Sequence, residues 1–147
     1  MRQNRLAFAS FVLLAVAAAC ATGQVARSAP DDAAATSNRV FEIRTYTTEP
    51  GRLDALLARF RDHTTKLFEK HGMTNIGYWT PADEPRSSDT LIYVIAHASR
   101  AAAKRNWEAF GSDSEWASVR DESEKDGKIV TKVESVFANP TDFSPLQ

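Results

Sequence analysis

The sequence contains a single cysteine among 147 residues, which excludes an intrachain disulfide framework and any metal site that needs several thiolates. Its formal charge of −1 comes from interspersed residues of both signs, so no basic stripe indicates nucleic-acid binding. The sequence also lacks a glycine-rich phosphate loop, a nucleophile elbow and a paired-carboxylate motif. These absences favour a protein without a cofactor and argue weakly against an enzyme.

The N-terminal residues have the pattern of an export signal. Arg2 and Arg5 precede an apolar run over residues 6–19 that only Ser10 interrupts. Such a run has the length of a signal-peptide core and is short for a membrane span. We predict a signal peptide over residues 1–21 and a periplasmic or extracellular location, with an uncleaved N-terminal anchor as the alternative.

Cys20 ends the apolar run in a position that resembles the lipobox of bacterial lipoproteins, with Ala17 where leucine or valine is usual. Lipidation of Cys20 and simple secretion are therefore both open, and the membrane would be reached only through the signal or a lipid anchor. Residues 22–38 carry no periodic apolar pattern and are predicted to be a flexible linker.

Residues 39–140 are predicted to form one domain that begins with a strand, a tight turn and a long amphipathic helix. Apolar residues recur at helical spacing from Leu53 to Phe68, and Gly72 is a typical helix stop. Alternation in the first strand divides its residues between two faces. The apolar face (Phe41, Ile43, Thr45) is expected to meet the helices, and the charged face (Glu42, Arg44, Tyr46) is expected to lie opposite.

Further strands are predicted over residues 73–80, 90–98 and 129–137, with helical residues after Ser99 and an irregular tail over 141–147. The order strand, helix, strand, strand, helix, strand is that of the ferredoxin-like split βαβ arrangement. We therefore predict an α+β fold with a four-stranded antiparallel sheet and helices on one face.

The face opposite the helices is expected to be too aromatic to remain bare, and pairing two such faces across a two-fold axis would give a homodimer with a cavity. The residues predicted to line this cavity are Glu42, Arg44, Tyr46, Asn75, Trp79, Tyr93 and His97. An aromatic wall favours a small hydrophobic or aromatic ligand.

His97 is the candidate catalytic residue, because a histidine in a cavity can act as acid or base. The alternative is a structural histidine bonded to a neighbouring carboxylate. His63 and His71 lie too far apart along one helix to share an ion, and no metal site is predicted.

Glu42 and Arg44 on the first strand are expected to face Glu134 and Lys132 on the fourth. A cross-strand ion-pair network is the favoured interpretation. The alternative is a carboxylate and a guanidinium that orient an anionic ligand.

Residues 41–46, 50–53, 69–72 and 77–80, together with Trp116, resemble the NIPSNAP family. The resemblance implies a dimeric α/β-barrel built from ferredoxin-like subunits, and it implies no established activity. The better-known relatives are mitochondrial or cytosolic, whereas this chain carries an export signal.

The leading hypothesis is an exported NIPSNAP-like dimer that binds a small apolar or aromatic molecule in its barrel. One alternative is an enzyme that resembles cofactor-independent monooxygenases or haem-handling proteins, with Asn75, Trp79 and His97 activating the substrate. Another is a structural envelope dimer.

Overall fold

The computed structural model describes residues 39–147, so the predicted signal peptide, Cys20 and the linker lie outside the described residues. The strands are β1 Val40–Thr48, β2 Thr74–Trp79, β3 Thr90–His97 and β4 Val130–Ala138. The α-helices are α1 Leu53–Arg59, α2 Thr65–Lys70, α3 Arg100–Gly111 and α4 Ser114–Ser123; a π-helical turn, Phe60–Thr64, joins α1 to α2, and a short 3-10 turn, Arg86–Ser88, precedes β3.

The four strands form one antiparallel sheet in the order β2-β3-β1-β4. This order and the alternation of strands and helices confirm the predicted ferredoxin-like α+β fold. The long predicted helix is present as α1, the π-helical turn and α2, and it ends before Gly72, whose φ of 75° suits a residue without a side chain. Ser99 caps α3 as expected, accepting a hydrogen bond from the Ala102 amide at 3.0 Å.

The core lies between the helices and one face of the sheet, which we call the covered face. Leu91, Tyr93 and Ile95 of β3 contribute to it, each at most 2% exposed. The helices contribute apolar and aromatic side chains, namely Leu53, Leu56, Phe60, Leu67, Phe68 and Phe110. The stripe of α1 and α2 is buried because its residues recur at helical spacing.

The predicted assignment of strand faces is wrong. Glu42 is 1% exposed beneath the helices, whereas Ile43 on the opposite face is 39% exposed. The charged residues of β1 lie inside because their charges are satisfied there by hydrogen bonds, and a partnered charge can be buried. A prediction from hydrophobicity alone places these charged residues outside, because it takes no account of their hydrogen-bond partners.

The face away from the helices, which we call the open face, carries exposed apolar side chains. Trp79 is 53% exposed and Val136 is 62% exposed. The indole of Trp79 lies so close to Gly77 that a Cβ at this position would clash with its ring carbons. Glycine at position 77 therefore permits the ring to lie along the strand.

The tail after β4 forms no helix or strand. It returns to the start of β1, where Arg39 donates a hydrogen bond to the Gln147 carbonyl at 3.0 Å. Within residues 39–147, no helix is long and apolar enough to cross a membrane.

Candidate functional site

A solvent-accessible cavity of about 170 Å³ lies between the covered face and the helices. Its lining residues come from β1, β4, the four α-helices, the π-helical turn and the position directly after α4: Tyr46, Arg59, Phe60, Thr64, Phe68, Phe110, Trp116, Arg120, Glu124, Val130 and Val133. Five of the lining residues are aromatic, and the charged ones are Arg59, Arg120 and Glu124. Such an apolar concavity with a few polar groups has the character of a small-molecule site.

The π-helical turn shapes one wall of this cavity. Phe60 and Thr64, its first and last residues, both line the cavity and are at most 5% exposed. The Thr64 hydroxyl donates to the Arg59 carbonyl at 3.2 Å, so its polar group is satisfied locally. Isolated π-helical turns within α-helices occur frequently at functional sites.

Arg59 supplies a buried cation at the cavity. Its Nη1 donates to Ser123 Oγ at 3.2 Å and to Glu124 Oε1 at 3.1 Å. Its guanidinium carbon lies 5.4 Å from the centre of the Trp116 ring. These contacts tie α1 to α4 and hold the guanidinium at the edge of the aromatic wall.

A buried polar network, which we call the Glu42 network, lies elsewhere on the covered face. Glu42 Oε1 accepts from Arg44 Nη1 and Ser135 Oγ, both at 2.6 Å. Its Oε2 accepts from Trp107 Nε1 at 2.6 Å and contacts His97 Nε2 at 3.1 Å. The carboxylate thus receives donors from β1, β3, β4 and α3, and it fastens the sheet to a helix.

Hydrogen bonding controls the charge of Glu42. Burial alone raises the pKa of a carboxyl group, but the four hydrogen bonds to its oxygens outweigh burial and lower the pKa of Glu42 from 4.5 to about 2. Glu42 is therefore ionised at neutral pH. The Arg44 guanidinium that balances it stacks over the Trp107 ring at 4.3 Å.

Comparison with known proteins identifies the family of this chain and other proteins that share its fold. The family model described as NIPSNAP matches residues 41–145. The chain belongs to the NIPSNAP family. No curated protein matches it.

Solved NIPSNAP structures share this fold. A NIPSNAP family protein of unknown function from Agrobacterium tumefaciens has 22% identity and a TM-score of 0.64, over 76% of this chain and 96% of its own. An uncharacterised NIPSNAP-like domain protein from Burkholderia xenovorans has 15% identity and a TM-score of 0.64, over 74% of this chain and 90% of its own.

A similar fold occurs in a putative antibiotic biosynthesis monooxygenase from Bacteroides thetaiotaomicron, with a TM-score of 0.50 and 15% identity. The matched region is 76% of this chain and 97% of that one. At this identity the likeness concerns the fold alone.

The structure brings together most residues predicted to line a cavity, but on the covered face of the NIPSNAP domain. Glu42, Arg44, Tyr46, Tyr93 and His97 all lie beneath the helices rather than on the open face. They therefore do not line a space between two paired sheets. Of the predicted set, Tyr46 alone lines the observed cavity.

Asn75 and Trp79 were expected to share one face, and this expectation is wrong. The register of β2 against β3 shifts between Asn75 and Gly77, which leaves Ile76 as an extra residue. Asn75 pairs with Ile95 on the covered side and donates to the Thr65 carbonyl at 3.0 Å, whereas Trp79 pairs with Ile92. An extra residue reverses the alternation, so Trp79 lies on the open face.

The predicted ion pairs across β1 and β4 are also wrong. Arg44 lies opposite Ser135, and Glu42 lies opposite Phe137. Glu42 and Arg44 instead pair with each other at 2.6 Å. Lys132 and Glu134 form a separate, exposed pair at 3.0 Å.

His97 is 1% exposed and contacts Glu42 and the Asn106 side chain, at 3.1 and 3.3 Å. These contacts are those of a structural histidine bonded to a neighbouring carboxylate, the alternative weighed from sequence. His71 lies 2.6 Å from Asp113, the capping residue of α4. Across the described part of the chain, no three histidine, cysteine or acidic side chains come together to hold a metal ion.

The spacing of the aromatic residues that the helices contribute to the cavity predicts core positions, and this spacing does not single out Arg59. Phe60, Phe68 and Trp116 have the same helical spacing as core residues, so periodicity does not separate a cavity wall from a filled core. The available signal was a charged residue, Arg59, directly before Phe60 in the apolar stripe.

Proposed function

We propose that this NIPSNAP protein is an exported, dimeric small-molecule-binding protein whose ligand is a small aromatic compound. The observation that carries the binding proposal is the aromatic cavity beneath the helices. Arg120 and Val133 at its edge are exposed, so a ligand can enter from solvent. Burial of a ring against aromatic side chains would supply the main part of the affinity.

The cavity volume limits the size of the ligand. An apolar cavity of roughly 150 Å³ is enough to bind benzene. The volume of about 170 Å³ found here therefore suits a single aromatic ring with a small substituent.

A tryptophan at position 133 is expected to abolish this binding. Val133 lines the cavity from β4, whereas Val136 lies on the open face of the same strand. We expect benzamide, a neutral single-ring probe, to bind the full chain in ligand-detected NMR titrations, with Val133→Trp losing the signal. Val136→Trp is the matched control and keeps it, because the cavity lies within one chain. Equal binding by both variants, or no binding to the unmodified chain, contradicts the proposal.

The dimer part of the proposal is supported by the open face. Ile43, Trp79 and Val136 are 39, 53 and 62% exposed there, and exposed apolar patches commonly mark protein interfaces. We expect Val136→Asp to convert the dimer to a monomer in native mass spectrometry, because it would bury an unpaired charge. Val133→Asp, on the covered side of the same strand, should remain dimeric. A monomeric unmodified chain at micromolar concentration rejects the dimer.

Export is supported by the sequence of residues 1–21 alone. Native mass spectrometry of protein purified from its own envelope distinguishes lipidation at Cys20 from simple secretion. Lipidation adds acyl mass to the mature chain. A mass that includes residues 1–19 would contradict a cleaved signal.

The enzyme alternative receives no specific support from the site. His97, its candidate acid–base group, is bonded to Glu42 and Asn106 and does not line the cavity. The purely structural alternative leaves the aromatic cavity without a role. A binding function therefore accounts for more of the geometry.

A further inference from the structure

An arginine that lines the cavity, Arg59, has a buried donor without an acceptor. Arg59 is 6% exposed, and its Nη1 is occupied by Ser123 and Glu124. Its Nε has no hydrogen-bond partner. A buried N–H without an acceptor is unfavourable, so an acceptor delivered by a ligand would stabilise this arrangement.

The charges of the lining residues favour an anion. Two cationic residues, Arg59 and Arg120, line the cavity together with one anionic residue, Glu124. Arg120 pairs with Asp121 at 2.8 Å, but both side chains are about half exposed or more, and such surface pairs are weak. The Glu124 side chain, 29% exposed, is the acceptor that an incoming anion would displace or share.

We propose that the ligand of this cavity is a small aromatic carboxylate, whose ring packs among the aromatic side chains and whose carboxylate is bound by Arg59. This inference rests on the proposed binding function. A planar guanidinium can bind both oxygens of a carboxylate, and the Trp116 ring centre lies 5.4 Å from the guanidinium carbon of Arg59. The π-helical turn begins directly after Arg59 and places Phe60 beside it in the cavity wall.

Benzoate and benzamide test the inference, because they have nearly the same shape and differ in charge. In NMR titrations of the full chain at pH 7, we expect benzoate to bind about tenfold more tightly or better, as charge-assisted hydrogen bonds allow. Arg59→Gln should remove this preference and retain benzamide binding. Lys104→Gln, an exposed charge change on α3, should leave both affinities unchanged.

The outcomes separate the two proposals. If benzamide binds the unmodified chain and benzoate binds no more tightly, the anion inference fails and the binding function stands. If benzamide does not bind the unmodified chain, the binding function fails, and the inference, which rests on it, fails with it.

Glu124→Gln provides a second variant in case Arg59→Gln does not fold. It removes the carboxylate that competes for Arg59, so benzoate affinity should rise several-fold while benzamide affinity stays constant. If Arg59 only braced α1 against α4, Glu124→Gln would not raise the affinity for benzoate alone. Unchanged or weaker benzoate binding in this variant overturns the assignment of Arg59.

Discussion

Glu42→Gln is expected to lower the free energy of unfolding by about 3 kcal/mol, with a fall in Tm of roughly 10–20 °C. Glutamine has the same size, but it places an amide N–H₂ where the carboxylate accepts hydrogen bonds from Arg44 and Ser135 or from Trp107 and His97. The Arg44 guanidinium, 15% exposed, then loses its anionic partner beneath the helices. Urea unfolding followed by circular dichroism measures the loss.

The lowered pKa of Glu42, which results from the same hydrogen bonds, corresponds to a free energy of the same order. A carboxyl group whose pKa falls from 4.5 to about 2 on folding contributes about 3 kcal/mol, at 1.36 kcal/mol per pKa unit. This contribution is complete above about pH 4.5 and is lost as the pH falls through about 2. The unmodified protein should therefore lose more stability than Glu42→Gln between pH 5 and pH 2.5, as those pKa values require.

Glu134→Gln is the matched control for this prediction. Glu134 lies on β4, and the side chains of Lys132 and Glu134 in this ion pair are 63 and 56% exposed within one chain. The control should change stability by less than about 0.5 kcal/mol. A loss below about 1 kcal/mol in Glu42→Gln would mean that the Glu42 network does not hold the sheet to α3.

The order of elements could be predicted because it depends on local patterns. Alternation in Val40–Thr48, helical spacing from Leu53 to Phe68 and the glycine at position 72 each report on their own segment. The ferredoxin-like order then admits few topologies.

The face of each strand could not be predicted in the same way. Burial of Glu42 depends on donors as distant in sequence as Trp107 and Ser135, and no local pattern reveals them. The register shift at Ile76 adds one residue to β2, and the composition of the strand does not reveal it. Strict alternation therefore predicts the wrong face for Trp79. The π-helical turn is similarly invisible to a search at helical spacing.

Phe68→Ala is expected to have the second large effect, a loss of about 3–5 kcal/mol in the free energy of unfolding. Phe68 is 1% exposed, and its ring centre lies 5.1 Å from that of Phe110 and 5.4 Å from that of Trp107. Removing the ring deletes these contacts and leaves a void, since α3 and the sheet constrain the collapse. Phe143→Ala is the matched control, because Phe143 is 84% exposed in the tail.

The same variant connects stability to the cavity. Phe68 lines the cavity, so its removal should extend that space by about one ring. Because a ligand that binds only the folded state stabilises it by mass action, added benzene should raise the Tm of Phe68→Ala more than that of the unmodified protein. If benzene raises the Tm of both proteins equally, the space left by Phe68 has closed. The side chains around the cavity then rearrange more freely than a rigid binding site requires. A larger rise in the variant would show that the helices and sheet hold an aromatic-sized space open without the side chain that occupies it.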